Sequence, residues 1–312
     1  MSLVFQDLGE LVNFKGGGTP SRNVEEYWNS SIPWATVKDL NEGITLTETQ
    51  EFISELGLKN SASNLITKGT IIIPTRMALG KVVISEIDVA INQDLKALYP
   101  NEKIDNIFLL YTILFNKDVI EALGSGATVK GIKLETLKSI KFLLPPLETQ
   151  RKIAKILSNY DDLIENNLKR IKILEEMAQQ TYEEWFVRMR FPGYETATID
   201  GTTGLPEGWE RDLVGNQLDK IKSTTKIKSS EIQKSGLFPV IDQSRDFIAG
   251  FTDDRVAVLR YSNTPYIVFG DHTRVLKLIN FDFARGADGT QIIKSKNKRM
   301  PQHLFYFTLM NI

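Results

Sequence analysis

Residues 147–190 have the sequence LETQRKIAKILSNYDDLIENNLKRIKILEEMAQQTYEEWFVRMR, which contains neither glycine nor proline. Apolar residues recur in it at alternating steps of three and four, which places them along one side of a helix. Pro145 and Pro146 precede the stretch, where a missing backbone N–H costs little, and Phe191-Pro192-Gly193 ends it. The pattern predicts a helix of about 60 Å, long enough to be a spacer with a partner along it. The apolar positions, here called the apolar stripe, are Leu157, Tyr160, Ile164, Ile171, Leu174, Ala178 and Trp185.

Composition limits the protein classes that fit the chain. At 312 residues it is long enough for two domains, and 42% hydrophobic with 25% charged residues is ordinary for a globular protein. The absence of cysteine excludes disulfides, thiolate metal sites and a cysteine nucleophile, and it agrees with a cytoplasmic location. A net charge of −1 argues against a protein that coats nucleic acid non-specifically, but it leaves local basic patches open.

The regions beside the predicted helix resemble mixed α/β domains. Short β-like runs predict strands at 70–73 and 81–85, and again at 256–259, 266–269 and 275–279. The apolar run Ile107–Phe115 fits either a buried helix or a buried strand, and periodicity does not decide between them. Residues 191–208 contain four glycines and two prolines, so we interpret them as a linker before a second domain that starts near Trp209.

The two domains look like a diverged internal repeat. A shift of 194 places without gaps pairs Thr70 with Thr264 and Asp94 with Asp288, and the apolar pattern between these points also agrees. The repeat predicts one module that occurs twice. Under this shift the counterpart of residues 119–190 is missing after the second module, so we expect a chain truncated before a second long helix.

Motifs for catalysis or cofactor binding are missing from the sequence. There is no phosphate-binding loop, and the triple glycine at 16–18 lacks a following helix pattern, so we interpret it as a flexible loop. The chain has two histidines, which argues against a histidine metal site. His272 follows Asp271, and a hydrogen-bonded turn is favoured over a catalytic pair because no nucleophile is indicated. We therefore expect no catalytic residue, no metal and no cofactor.

Polar side chains in predicted loops are the candidates for contact with double-stranded DNA. Arginine and glutamine can bond base edges, whereas lysine and serine typically bond phosphates. For any single residue, a solvated surface position is the competing interpretation. The candidates are Thr19, Ser21, Arg22, Lys38, Arg76 and Lys81 in the first domain, and Lys222, Lys226, Lys228, Gln243, Arg245, His272, Thr273 and Arg274 in the second.

Several short motifs, in the right order, resemble one known family. Residues 143–150 (LLPPLETQ) and 153–157 (IAKIL) are similar to the central conserved region of type I restriction–modification specificity subunits. The other motifs resemble recognition-domain sequences of that family, and they are GGTPS at 17–21, GLPEGW at 204–209, FGDHTR at 269–274 and GADG at 286–289.

The resemblance implies an α+β protein with two target-recognition domains, at 1–146 and 209–312, the second incomplete. A coiled-coil-like spacer helix at 147–190 and the linker at 191–208 would join them. Such a subunit is not an enzyme. Each domain would recognise one half of a bipartite DNA target, and the helix would set the gap and dock modification subunits, which carry S-adenosylmethionine-dependent methylation. Restriction subunits would join for ATP-dependent translocation and cleavage.

Two alternatives stay open for the function and two for the helix. The chain could instead be a stand-alone DNA-modifying enzyme or a coiled-coil scaffold for protein interactions. Without a second helix the apolar stripe would be exposed. We then expect either a homodimer with the two helices antiparallel, or partial disorder around the helix.

Overall fold

A computed structural model describes residues 4–40, 43–126, 128–219, 221 and 225–312. The chain forms two compact units, Met1–Leu168 (unit 1) and Lys169–Ile312 (unit 2). Both contain sheets with short helices, which confirms the predicted α+β class. No helix in the described part of the chain has the length and apolar character needed to cross a membrane.

Unit 1 is built from eleven described strands in three sheets. The sheet orders are β2-β10-β7-β8-β4, β5-β3-β9-β6 and β1-β11. The strands are β1 (Val4–Asp7), β2 (Val12–Gly16), β3 (Trp28–Ala35), β4 (Thr45–Leu46), β5 (Glu51–Ile53), β6 (Asn64–Ile66), β7 (Ile71–Pro74), β8 (Val83–Ser85), β9 (Val89–Ile91), β10 (Leu95–Pro100) and β11 (Lys141–Leu144). The helices are α1 (Leu8–Leu11), α2 (Glu55–Lys59), α3 (Asn106–Phe115), α4 (Lys117–Ala122), α5 (Leu134–Lys138) and the first part of α6 (Leu147–Tyr182), with 3-10 turns at Glu25–Tyr27 and Val37–Asp39.

Unit 2 contains eight described strands in two sheets. The sheet orders are β12-β19-β16-β17 and β14-β13-β18-β15. The strands are β12 (Leu218–Asp219), β13 (Phe238–Ile241), β14 (Gly250–Thr252), β15 (Val258–Leu259), β16 (Tyr266–Gly270), β17 (Leu276–Ile279), β18 (Phe283–Arg285) and β19 (Thr290–Ser295). The remaining elements are α7 (Val214–Gln217), α8 (Gln302–Met310), a π-helical turn at Glu183–Val187 and 3-10 turns at Tyr194–Thr196 and Ser229–Glu231.

The predicted internal repeat is present in the strand order. β2-β10-β7-β8 of unit 1 corresponds to β12-β19-β16-β17 of unit 2, and β5-β3-β9-β6 corresponds to β14-β13-β18-β15. The second sheet of each unit contains a parallel pair, in which Trp34 lies opposite Ala90 and Val240 opposite Ala284. Ala90 and Ala284 are 194 places apart, as the alignment of the sequence with itself predicts.

The ambiguous run 107–115 is helical, and a local hydrogen-bond pattern explains why. The side chain of Asp105 accepts hydrogen bonds from the backbone N–H groups of Ile107 and Phe108, both at 3.0 Å. These bonds satisfy two of the donors that a helix start leaves unpaired. The helix α3 then buries Phe108 and Leu109 in the core of unit 1.

The long helix α6 is present, but it is shorter than predicted. It contains 36 residues, which corresponds to about 54 Å. After Tyr182 the backbone widens into the π-helical turn, in which the N–H of Arg188 donates to Glu183 O at 2.8 Å. Met189 then has a left-handed backbone with φ of 57°, which ends the helical geometry.

Gln150 fixes the start of α6 on unit 1. Its Oε1 accepts from the backbone N–H of Asp105 at 2.9 Å, and its Nε2 donates to the carbonyls of Lys103 and Pro145 at 3.0 and 2.9 Å. The side chain is 1% exposed, so these bonds satisfy an amide that would otherwise be costly to bury. Further along the helix, the hydroxyl of Tyr111 donates to Asp161 at 2.5 Å.

The segment 191–208, interpreted as a linker, has local structure of its own. Asp200 N–H donates to Leu205 O at 2.9 Å, and Leu205 is buried. The ring of Trp209 lies 5.0 Å from that of Phe191 and 5.5 Å from that of Phe186, between centroids. These aromatic contacts attach both ends of the segment to the end of the helical region.

Candidate nucleic-acid interface

The glycine loop of unit 1 is closely packed, so its interpretation as a flexible loop is wrong. Gly18 N–H donates to Ile91 O at 3.0 Å. A Cβ atom on Gly17 would lie 1.9 Å from the same carbonyl oxygen, and one on Gly18 would lie 2.6 Å from the backbone of Ala62. The loop needs glycine because two backbone segments approach it at distances that exclude any side chain.

Two tryptophans donate hydrogen bonds to the same loop. The indole N–H of Trp34 donates to Gly18 O at 3.1 Å, and that of Trp28 donates to Ser21 O at 3.0 Å. The two rings pack edge to face, with centroids 5.1 Å apart, and Trp34 is 2% exposed. Both lie on β3, so this strand holds the loop at two points.

Arg22, a predicted DNA contact, is bonded within unit 1. Its guanidinium donates two hydrogen bonds to the carboxylate of Glu51, one of them at 2.8 Å, and it lies 3.7 Å from the centroid of the Trp28 ring. The hydrogen bonds from Arg22 lower the pKa of Glu51, and the same pairing raises the pKa of Arg22. Glu51 engages two of the five N–H groups of this guanidinium, which leaves three for other partners.

The other predicted DNA contacts of unit 1 differ in exposure and in whether they bond other residues of the unit. Thr19 donates to the side chain of Gln93, Arg76 lies 3.7 Å from the carboxylate of Asp94, and Lys81 donates to Leu40 O at 2.9 Å. The side chain of Arg76 is 58% exposed. Ser21 and Lys38 are exposed. Arg76 and Arg22 are thus similarly accessible, and each lies beside a carboxylate.

The candidates of unit 2 meet around Gln243. Its Nε2 donates to Asp288 O at 3.0 Å, its Oε1 accepts from the N–H of His272 at 3.3 Å, and its backbone carbonyl accepts from the hydroxyl of Thr273 at 2.7 Å. Arg274 and His272 are exposed on the same turn. The structure brings together four predicted residues, which are Gln243, His272, Thr273 and Arg274.

The remaining lysine candidates lie on a neighbouring segment. Lys226 and Lys228 are exposed on either side of the buried Ile227, whose N–H donates to Arg285 O at 2.9 Å. Lys222 lies outside the described residues. Arg245 is exposed in the segment that follows β13.

Two buried basic residues support this surface, and the sequence interpretation missed them. Lys277 donates to Asp242 O at 2.9 Å and to Asp246 O at 2.5 Å, with its side chain 3% exposed, and burial lowers its pKa. Arg285 donates through Nε to Thr290 O at 2.7 Å, and burial lowers its pKa as well. A usable signal existed in the sequence, since Lys277 interrupts an apolar strand where a solvated lysine is not expected.

The apolar stripe of α6 is exposed. Among its positions Tyr160 is 64%, Ile164 56% and Leu174 61% exposed. Leu157, Ile171 and Trp185 are also exposed, whereas Ala178 is half-buried. In the described part of the chain, no group of three acidic or histidine side chains is arranged to hold a metal ion.

The sequence of this chain is similar to those of known proteins. The sequence profile of the type I restriction modification DNA specificity domain matches residues 4–176. The chain is 33% identical over 233 residues to the type I restriction enzyme MjaIX specificity subunit of Methanocaldococcus jannaschii, which covers 73% of this chain and 53% of that protein. It is also 33% identical over 203 residues to the EcoR124I/EcoR124II specificity subunit of Escherichia coli, covering 62% and 50%. The chain spans about half the length of these relatives.

A solved structure resembles nearly the whole chain. The S subunit of a type I restriction-modification system from M. genitalium superposes with a TM-score of 0.59 over 99% of this chain and 77% of that chain. The sequence identity is 18%, so this similarity concerns the fold.

Proposed function

Because the chain belongs to the type I restriction modification DNA specificity family, we propose that it recognises double-stranded DNA, one half of a bipartite target with each unit. The observation that carries this proposal is the duplicated architecture. In unit 1 the N–H of Thr75, just after β7, donates to Asp94 O at 2.7 Å, and in unit 2 the N–H of Asp271, just after β16, donates to Gly289 O at 2.7 Å. The same pair of loops is therefore joined in the same way twice, with different side chains on each.

The proposed role is recognition and assembly without catalysis. Modification subunits would dock on the helical region α6 and carry out methylation, and restriction subunits would join them for translocation and cleavage. We expect the complex to act in the cytoplasm, where the DNA is. Methylation of DNA by the purified chain alone would contradict the non-catalytic role, whereas methylation that requires added modification subunits supports it.

A unit exchange tests the division of the target. Residues 1–146 would be replaced by the corresponding unit of a relative with another specificity, and methylated adenines would be mapped across the genome. One half of the methylated sequence should change while the other half stays. The reciprocal exchange of 209–312 is the matched control and should change the opposite half. A target that stays intact in both exchanges would refute the assignment of the units.

The helix α6 is proposed to set the gap between the two halves. Four residues inserted after Asn166 lengthen a helix by about 6 Å. Since base pairs rise about 3.4 Å each, the recognised gap should grow by one or two base pairs. Mapping of the methylated sequence measures the gap directly, and an unchanged gap would contradict this role.

The apolar stripe is proposed to pack against the same helix of a second copy in antiparallel orientation. Ile164 and Ile173 provide a matched test, because they are 56% and 55% exposed and lie nine residues apart, on opposite sides of the helix. Light scattering of the full chain should give a dimer for the unmodified protein and for Ile173→Asp, and a monomer for Ile164→Asp. A monomeric unmodified chain would exclude this pairing.

A further inference from the structure

We propose that Gln243 is the positioning residue of the DNA-binding surface of unit 2, and that Arg274, which it helps to position, contacts a guanine. This inference rests on the proposed function and assigns roles within the same surface. Two polar side chains on adjoining loops differ in their bonding, because Gln243 forms internal hydrogen bonds and Arg274 is exposed.

Gln243 joins three segments of unit 2. It lies just after β13, and its amide group bonds the backbone of Asp288 in the loop before β19 and that of His272 in the turn after β16. Its own carbonyl accepts from the Thr273 hydroxyl at 2.7 Å. Each loop alone would sample many conformations, and these bonds fix all three relative to one another.

Gly270 of the FGDHTR motif and Gly289 of the GADG motif lie directly against the Gln243 side chain. A Cβ atom on Gly289 would lie 2.7 Å from Gln243 Nε2, and one on Gly270 would lie 2.7 Å from Gln243 Cβ. Gly289 also has a φ of +66°, which an L side chain rarely adopts. Gly270 therefore allows a close approach to Gln243, and Gly289 allows the left-handed backbone of the second loop.

This engagement argues against a base contact by Gln243 itself. Glutamine recognises adenine with its amide N–H and carbonyl together, in one bidentate orientation. In unit 2 both amide atoms already bond loop backbones, so turning the amide towards DNA would break two hydrogen bonds and release two loops. The residue is better suited to hold the surface than to contact bases.

Arg274 has the opposite character. Its backbone is fixed, because its N–H donates to Gly270 O at 2.8 Å and its φ is 56°. Its neighbour Thr273 is bonded to Gln243, and within the described part of the chain no hydrogen bond or ion pair involves the Arg274 guanidinium. A guanidinium on a rigid turn suits guanine, whose O6 and N7 accept two parallel bonds from arginine.

The test separates a contacting from a positioning residue by their different effects on base preference. The full chain and its variants would select from a library of random-sequence duplex DNA, and sequencing of the bound fraction would give the preference at each base pair. Arg274→Ala should remove the preference for guanine at one base pair, by about tenfold or more. Arg255→Ala removes the same charge from an exposed position of unit 2 that is not among the candidate contacts, and it is the control for charge alone.

Gln243→Met should instead weaken binding to the selected sequence about fivefold to tenfold while it leaves affinity for unrelated DNA unchanged. The guanine preference at the base pair contacted by Arg274 should fall in part, because Gln243 helps to position Arg274, and no adenine preference should be lost at any base pair. Thr273→Val and Thr273→Ser supply a milder test that disturbs folding less. The valine variant loses the bond to Gln243 O and should weaken selective binding, and the serine variant keeps the hydroxyl and should restore it.

Three outcomes would overturn the inference. Loss of an adenine preference at a single base pair in Gln243→Met would make Gln243 a base contact. Unchanged preferences in Arg274→Ala would exclude the guanine contact. If the unmodified chain enriches no sequence at all, the proposed function fails, and the inference fails with it.

Discussion

Unit 1 holds its loops with aromatic rings and close backbone packing, whereas unit 2 holds the corresponding surface with hydrogen bonds from Gln243 and Lys277 side chains. In unit 1, Trp34 and Trp28 bond the glycine loop, and Arg22 lies over the Trp28 ring. In unit 2, Lys277 and Gln243 bond loop carbonyls instead. The strand orders β2-β10-β7-β8 and β5-β3-β9-β6 of unit 1 recur in unit 2, whereas β4 and the sheet β1-β11 have no counterpart among the described strands of unit 2. The repeat therefore conserves the sheets and leaves the means of loop attachment free to differ.

In both units a lysine side chain donates to the carbonyl of a loop residue. Lys81 lies two residues before β8, and Lys277 lies on β17, the strand of unit 2 that corresponds to β8. Lys81 donates to the carbonyl of Leu40, five residues beyond the end of β3. Lys277 donates to the carbonyl of Asp246, five residues beyond the end of β13. Lys81 is exposed and Lys277 is buried, so the same bond has different surroundings. The two lysines are not equivalent in the alignment, because Lys81 corresponds to Val275, so the two units reach a similar bond from different positions.

The largest effect is expected from removal of the aromatic support in unit 1. Trp34→Ala deletes a buried ring, its edge-to-face contact with Trp28 and its bond to Gly18, and it should cost about 3–5 kcal/mol. Amide hydrogen exchange should report faster opening throughout unit 1 and unchanged protection in unit 2. Equal loss of protection in both units would contradict separate cores.

Gly17→Ala tests the close backbone approach directly. The new methyl would meet Ile91 O at 1.9 Å, so the loop must shift, at about 1–3 kcal/mol. Gly201→Ala is the matched control, because a Cβ there meets nothing within 4 Å. Thermal unfolding should distinguish the two variants, and equal melting temperatures would show that the loop adapts freely.

Lys277→Met tests the hydrogen-bonded support of unit 2. The variant leaves the carbonyls of Asp242 and Asp246 without their donor, and we expect a loss of about 1–2 kcal/mol near neutral pH. Lys81→Met should cost less, because water can reach the carbonyl that an exposed lysine leaves. Chemical denaturation followed by hydrogen exchange in each unit measures both effects.

The same lysine predicts a pH dependence. Burial lowers its pKa in the folded unit, so between that value and the ordinary lysine value of about 10.4 the unfolded chain binds a proton that the folded unit has lost. The free energy of unfolding should therefore rise with pH in this window. Subtraction of the Lys277→Met profile isolates the contribution, and parallel profiles would exclude it.

The smallest effect is expected at the exposed ion pair of unit 1. The side chains of Arg22 and Glu51 are 53% and 40% exposed, so solvent screens their attraction. Glu51→Gln should cost less than about 1 kcal/mol, measured by the same denaturation experiment. A larger loss would mean that the stacking of Arg22 on Trp28 depends on the carboxylate.

The elements that the sequence predicts well are those with local causes. The strands at 70–73, 81–85 and 266–269 correspond to β7, β8 and β16, and the long helix starts at Leu147 as its prolines indicate. The π-helical end of the helix has no such local pattern. The helical state of 107–115 depends on the cap at Asp105, which a periodicity argument does not consider.

The candidate site was harder to predict because its bonds join distant residues. Gln243 and Asp288 are 45 positions apart, and Thr19 and Gln93 are 74 apart. Composition identifies polar loops, but it does not distinguish a side chain that bonds a neighbouring loop from one that remains exposed. For the same reason the glycines at 16–18 suggested flexibility, whereas backbone packing against Ile91 holds them.

The junction at Gln150 has an evolutionary consequence. All three of its partners are main-chain atoms, from Lys103, Asp105 and Pro145. Main-chain atoms are present whatever side chain occupies a position, so substitutions at 103 and 145 can leave the three bonds of Gln150 intact. Side chains on the surface of unit 1 can in this way change while the amide bonds at the start of α6 stay the same.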